Sequence, residues 1–303
     1  MENGAVTVRP CPKPRGKVLL RLRVGGICNT DLELLRGYYG FRGRPGHEFV
    51  AQRVDTGQRV AGEINLSCGR CCWCRKGLGR HCPRRTVLGI VKHPGAFAGY
   101  FTLPEENLYA IPPEVPDEHA VFTEPVAAAC EILEQLPEIA QSEAAVLGDG
   151  KLGLLIAQVL SLHGARVDLF GRHAEKLAIA RKAGVRTPEK PPCRRYPYVV
   201  DATGSAEGFA AAAAMAQPRG TLVMKSTVHA PILFDTAPLI VNEITLVGSR
   251  CGRFAPALEL IRGKQLFLDP MISAEYRLEQ APEAFQHAAR RGALKVLLRA
   301  AGA

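Results

Sequence analysis

Residues 146–153 read Val146-Leu147-Gly148-Asp149-Gly150-Lys151-Leu152-Gly153, and this stretch decides the fold of the C-terminal half. The apolar residues 144–147 before it form a short strand pattern. Residues 152–162 after it form an apolar helical run. The glycines thus sit where a strand turns into a helix. There they permit a tight turn and let a pyrophosphate approach the free amides of a helix N-terminus. The same pattern without those neighbours would carry little weight. Gly148, Gly150, Lys151, Leu152 and Gly153 are therefore candidate cofactor-binding residues.

Strand and helix patterns keep alternating beyond this turn. Strands are expected at 166–170, 198–201, 221–225 and 244–248, with helices at 174–183 and 206–216 between them. Such alternation means a parallel sheet with right-handed crossovers. Residues 184–198 are Pro-rich and basic where a helix would complete a crossover, so this domain is expected to be trimmed at one edge. Upstream the texture differs. Residues 18–24 alternate apolar and basic side chains, and short apolar segments at 49–54, 59–63, 99–103 and 109–111 are broken by Gly and Pro. That texture suits a compact, mostly β domain over residues 1–124. The segment 253–303 carries helical patterns at 255–261 and 281–290 and a strand at 294–298.

Four cysteines in the first half, Cys68, Cys71, Cys74 and Cys82, have the spacing C-x2-C-x2-C-x7-C. Thiolates are soft ligands, and four suit a closed tetrahedral zinc site. Free thiols or a disulfide pair are the alternative, which short C-x2-C steps disfavour. Cys72, inside the loop, is expected to point away.

Further motifs flank this cluster in order: Gly25-Gly26-Ile27-Cys28-Asn29-Thr30-Asp31, then Gly46-His47-Glu48, and after the cysteines Thr123-Glu124-Pro125. Together with the glycine turn, this order resembles the zinc-containing medium-chain dehydrogenase/reductase family of alcohol, sorbitol and threonine dehydrogenases. The resemblance covers nearly the whole chain. It implies an α/β fold, with a Rossmann-type doubly wound parallel sheet (125–252) and a GroES-like, mostly β catalytic domain (1–124, completed by 253–303).

The resemblance also implies roles. Cys28, His47 and Glu124 would hold a catalytic zinc, with Glu48 as an alternate ligand or supporting group and Asp31 orienting His47. Cys, His and carboxylate are a workable three-ligand set that leaves a fourth position for water or substrate. The alcohol dehydrogenases of the family use a cysteine where this chain has Glu124; the Glu-Pro pair matches the polyol and threonine branch. Cys130 is a fallback within an apolar run. Thr30 would pass the alcohol proton toward solvent. A histidine usually follows in that relay, and this chain has Glu33 there. The family's acid for the adenosine ribose falls at Gly171, followed by Arg172 and His173, while Asp168 lies too early in the strand. Loss of the acid and gain of an arginine favour NADP over NAD. The site would lie between the domains, with hinges near Glu124 and Gly252.

Composition bounds the rest. The 303 residues suffice for two domains, and 47% hydrophobic with 22% charged residues is ordinary for a globular protein. No apolar run nears the ~20 residues of a membrane span. The start of the chain lacks a secretory pattern, and ten cysteines then suggest a reducing, cytoplasmic setting. The net charge of +10 invites a nucleic-acid reading. The basic runs at 80–85 and 192–195 are not interleaved with aromatics, so solvated faces explain them better. The expectation is a zinc- and NADP-dependent oxidoreductase, with NAD as the alternative coenzyme and two zinc ions per chain. It would act on a small alcohol or carbonyl as a homodimer or homotetramer, without nucleic acid or membrane. A noncatalytic NADP-binding regulator on the same fold, or a zinc-ribbon nucleic-acid binder, is the competing reading.

Overall fold

The computed structural model describes residues 1, 4–190, 195–226 and 233–300. Most of the basic run 192–195 lies outside them. The chain forms two compact units, one of residues 1–124, 257–262 and 272–303, the other of 125–256 and 263–271. Against the expected 253–303 return, residues 253–256 and 263–271 stay with the second unit.

The first unit is built on a seven-stranded sheet in the order Ile272–Arg277, Lys295–Arg299, Val18–Ile27, Glu48–Arg53, Arg59–Gly62, Leu108–Ala110, with Tyr100–Leu103 also pairing with Val18–Ile27. Strand Val18–Ile27 shows why. Leu20, Leu22 and Val24 are fully buried while Arg21 and Arg23 between them are half-buried, the period-two pattern of a strand with one face on the core. The ring of Phe49 meets Phe101 edge-on at 4.9 Å beneath this sheet. Strand Ile272–Arg277, not anticipated from sequence, pairs in parallel with Lys295–Arg299. A separate three-stranded sheet of Asn65–Leu66, Thr86–Leu88 and Lys92–His93 flanks the cysteine loop in sequence.

The second unit holds a five-stranded, all-parallel sheet in the order Arg166–Phe170, Glu143–Leu147, Tyr196–Asp201, Ala216–Met224, Thr245–Gly248. The full doubly wound order would add a strand beside Arg166–Phe170. Among the described residues that strand is reduced to one bridge, Asp168 to Arg186, with the Leu169 amide donating to the Arg186 carbonyl at 2.9 Å. The trimmed edge expected from residues 184–198 is thus present. Asp168 is spent inside the edge: it pairs with Arg186 at 2.8 Å and accepts the Tyr196 hydroxyl at 2.7 Å.

Helix Lys151–Leu162 is buried along most of its length, from Gly153 to Leu160. Gly153 allows this. A Cβ there would stand 1.8 Å from the Gly148 carbonyl oxygen, so any side chain would push the helix off the turn.

Candidate active site

The site is assembled within the first unit. Strand Val18–Ile27 ends at Cys28, and helix Asn29–Leu35 begins immediately after it. Asp31, fully buried in the first turn, holds two turns together. One carboxylate oxygen accepts the Cys28 amide at 2.9 Å, and the other accepts the Gly46 amide at 3.2 Å. The second oxygen also lies 3.4 Å from His47 Nδ1, within ion-pairing range but outside hydrogen-bond geometry. Gly46 has φ +102° and faces the Phe97 ring, 2.4 Å from where a Cβ would be, so only glycine fits this turn. His47 then opens onto strand Glu48–Arg53.

The Cys28 sulfur, a His47 ring nitrogen and a Glu48 carboxylate oxygen lie within 4.8 Å of one another. His47 and Glu48 are almost fully buried. His47 Nδ1 and Glu48 Oε1 are buried without a hydrogen-bond partner. Burial pushes the His47 imidazole pKa down, yet Asp31 and Cys28 carry it well above its usual value. A pocket that gathers a thiol and two carboxylates around one imidazole attracts a cation. The donor set fits zinc, which takes Cys, His and carboxylate.

Lys295, the first residue of strand Lys295–Arg299, was missed from sequence. It is buried, and its ammonium pairs with Glu48 Oε2 and lies 5.4 Å from the centre of the Phe122 ring. Burial alone would lower its pKa, but Glu48, then Cys28, and finally Glu124 raise it, so the ammonium stays charged. A lone lysine in the otherwise apolar run Val296-Leu297-Leu298 was the available signal. Glu124 is not in the three-residue group; its charge acts on Lys295 from the start of helix Thr123–Gln135. Cys130 is buried in that helix, and burial with nearby Glu134 pushes its thiol up to about 11, as suits a core residue.

Thr30 Oγ1 lies 3.8 Å from the Cys28 sulfur. Glu33, considered as the end of a proton relay, pairs with Arg36 at 2.6 Å.

Cys68, Cys71, Cys74 and Cys82 form a second group. The sulfurs of Cys71 and Cys74 are 3.4 Å apart, of Cys71 and Cys82 3.7 Å, and of Cys68 and Cys74 3.9 Å. These are not disulfides. A tetrahedron with Zn–S bonds of ~2.3 Å has edges of ~3.8 Å, so the spacing fits a four-thiolate zinc site. The amide of Arg70, and then that of Cys71, help hold the Cys68 thiol down to about 6, and Arg84 Nη2 reaches its sulfur at 3.4 Å. Cys72 is exposed and outside the group.

In the second unit Gly148 has φ +111°, and Gly150 precedes helix Lys151–Leu162 as an N-cap with no side-chain hydrogen bond. A Cβ on Gly150 would meet nothing within 4 Å, so open space lies in front of the helix amides. This turn fits a pyrophosphate. Gly171 and Arg172 are exposed at the end of strand Arg166–Phe170, as expected. The space beside Gly171, however, is filled by the carboxylate of Asp149, which sequence reading had not placed there.

Residues 14–113 match the alcohol dehydrogenase GroES-like domain. The L-threonine 3-dehydrogenase of Chelativorans sp. (strain BNC1) is 35% identical over 209 residues, a match spanning 63% of this chain and 60% of that protein. The sorbitol dehydrogenase of Halalkalibacterium halodurans is 28% identical over 97% of this chain and 95% of its own length. Among solved structures, the alcohol dehydrogenase TADH from Thermus sp. ATN1 superimposes with a TM-score of 0.88 at 27% identity, covering 99% of this chain and 98% of that one. A zinc-binding dehydrogenase of Sinorhizobium meliloti 1021 bound to NADP gives the same TM-score and identity over 98% and 96% of the two chains. Among the described residues, no helix is long and apolar enough to cross a membrane.

Proposed function

Because the chain belongs to the zinc-containing medium-chain dehydrogenase/reductase family, a family of oxidoreductases, we propose that it interconverts an alcohol or polyol and its ketone or aldehyde by hydride exchange with a nicotinamide dinucleotide. The observation that carries this reading is the group of half-buried Cys28 with buried His47 and Glu48, in which His47 Nδ1 and Glu48 Oε1 lack hydrogen-bond partners. A purely structural site closes all four positions, as the other cysteine group does; three ligands leave one position open. The full length matched by sorbitol dehydrogenase and by the NADP-bound neighbour supports the same reading.

Cys28 and His47 would hold the metal together with one carboxylate, for which Glu48 is in reach and Glu124 is the alternative. Bound zinc would polarise the substrate oxygen and make alkoxide formation accessible near neutral pH. The remaining work falls to the chain's own groups. Asp31 fixes the Cys28 and His47 turns against each other, so that both side chains face one point. Lys295 pairs with Glu48 Oε2 and holds that carboxylate in place. The Thr30 hydroxyl, 3.8 Å from the Cys28 sulfur, would receive the alcohol proton. Gly148, Gly150, Lys151, Leu152 and Gly153 would receive the pyrophosphate, with Gly171, Arg172 and His173 near the adenosine ribose. Cys68, Cys71, Cys74 and Cys82 would hold the structural zinc.

The test is a panel of secondary alcohols, polyols and 3-hydroxy amino acids, scored by reduced-nicotinamide absorbance, alongside zinc analysis. Two zinc ions per chain and turnover of at least one substrate class are expected. One zinc, with coenzyme bound but no substrate turned over, would favour the noncatalytic regulator. A salt-sensitive affinity for nucleic acid would favour the zinc-ribbon reading.

A further inference from the structure

The glycine turn carries a carboxylate that pyrophosphate binding does not require. Asp149, between Gly148 and Gly150, is only 7% exposed. Its side chain reaches the end of the neighbouring strand Arg166–Phe170. There Oδ2 accepts the backbone amides of Arg172 at 2.6 Å and His173 at 2.7 Å. His173 Nδ1 stands 3.0 Å from Oδ1 and 3.1 Å from Oδ2.

Gly171 makes the room. A Cβ at this position would lie 2.4 Å from Asp149 Oδ2 and 2.5 Å from Asp149 Cβ. The Gly171 backbone is not in the left-handed region, so crowding and not φ forbids a side chain. Asp149 and Gly171 are therefore an exchanged pair. The acid stands on the first loop and the gap at the end of the second strand, where a ribose-binding acid normally has the reverse arrangement.

The exchange changes what the subsite accepts. Gly171 and Arg172 by themselves offer a 2′-phosphate an arginine and two amides, with no opposing charge. With Asp149 in place both amides are already taken, and a negative charge stands among them. Burial pushes the Asp149 carboxyl pKa up, but the bonds from His173 and the two amides hold it below the usual value, so it is ionised at neutral pH. A carboxylate has about four acceptor sites, and Oδ1 keeps capacity for a hydroxyl donor. A ribose diol donates; a phosphate dianion only accepts and is repelled.

Resting on the reading that this turn binds a nicotinamide dinucleotide, we propose that Asp149 is the specificity-determining residue of the adenosine-ribose subsite, accepting a ribose hydroxyl and excluding a 2′-phosphate, so that NAD(H) is bound in preference to NADP(H). This reverses the expectation drawn from Gly171 and Arg172 alone. It also replaces the obvious test of that expectation, because Gly171→Asp by itself would collide with Asp149.

The experiment is calorimetric titration of the full-length, zinc-loaded protein with NAD+ and with NADP+, without substrate. It compares wild type, Asp149→Asn and the double variant Asp149→Gly/Gly171→Asp, each checked for folding by circular dichroism. Wild type should bind NAD+ roughly tenfold or more tightly than NADP+, the scale of one charge-assisted contact. Asp149→Asn keeps the shape and removes the charge, so NADP+ affinity should rise about tenfold while the melt stays put. The double variant returns the acid to the strand end and should restore the preference for NAD+. A wild-type preference for NADP+, or an NAD+/NADP+ ratio unmoved by Asp149→Asn, overturns the assignment while leaving the coenzyme site standing. Folded proteins that bind neither dinucleotide would bring down the coenzyme reading itself, and this inference with it.

Discussion

The two candidate metal-ligand groups of the first unit are built for opposite roles. The Cys68, Cys71, Cys74, Cys82 group sits in a loop whose ligands are mostly part-exposed, and its four sulfurs are equivalent donors near tetrahedral spacing. Nothing in it is left over, so a zinc held there would only hold the loop together. The Cys28, His47, Glu48 group is chemically mixed and incomplete, with His47 and Glu48 buried and Cys28 half-buried. It also keeps a resident cation, Lys295, paired to one of its own acids. The contrast teaches that coordination number and burial separate the two roles better than ligand identity does, since cysteine serves in both.

The sharpest way to break this contrast is to swap the readouts. Cys28→Ser or His47→Ala should cut turnover by at least about a thousandfold, because Lewis-acid assistance is worth several kcal/mol. Zinc content should fall from two per chain to one, and the melting temperature should barely move. Substantial activity in His47→Ala would remove the catalytic role from this group.

Lys295 gives the next largest effect. Lys295→Met strands the buried Glu48 carboxylate, and breaking a buried pair from one side costs about 3–5 kcal/mol. Adding Glu48→Gln should recover most of that loss, since two neutral groups need no partner. Urea melts of the two singles and the double variant close the cycle. A double variant as unstable as Lys295→Met would mean that the lysine acts through packing against Phe122 rather than through charge.

How much of this was legible in sequence follows from what each feature depends on. The glycine turn, the cysteine spacing and the Cys28 to Asp31 motif are local, and local patterns survive in a string. The five strands of the parallel sheet are apolar runs punctuated by glycine, and they were placed to within a few residues apart from Ala216–Met224, which begins five residues earlier than expected. Lys295 was not found because it pairs with Glu48 across 247 positions. Strand Ile272–Arg277 was missed because its burial alternates between half-buried and exposed, which leaves no hydrophobic signal. Asp149 was hidden inside a motif whose variable positions are normally ignored.

Cys74→Ser should act on the fold and not on the chemistry. Losing the loop zinc is expected to cost about 2–3 kcal/mol, or roughly 5–10 °C in melting temperature for a chain of this size. Turnover per folded molecule should stay close to wild type at a temperature below the new transition. Chelation should likewise separate the pair, with the open site losing zinc first and the four-thiolate site slowly. Loss of both ions at one rate would erase the distinction between open and closed sites.

The smallest effect is the most specific. Cys72 lies between two ligands in sequence, opens the short helix Cys72–Arg75, and is exposed. If geometry and not cysteine density defines the closed site, Cys72→Ser should leave zinc content at two and stability within about 0.5 kcal/mol, the range of an exposed substitution away from any special contact. Under oxidising conditions the variant should also lose a thiol that reacts readily in wild type, because an exposed cysteine outside the metal group has no zinc to shield it. Thiol titration of native protein reads this directly: one fewer fast-reacting group in Cys72→Ser, with zinc unchanged. Release of zinc on that single substitution would show that Cys72 takes turns with Cys71 or Cys74 as a ligand, and the four-thiolate set would have to be redrawn.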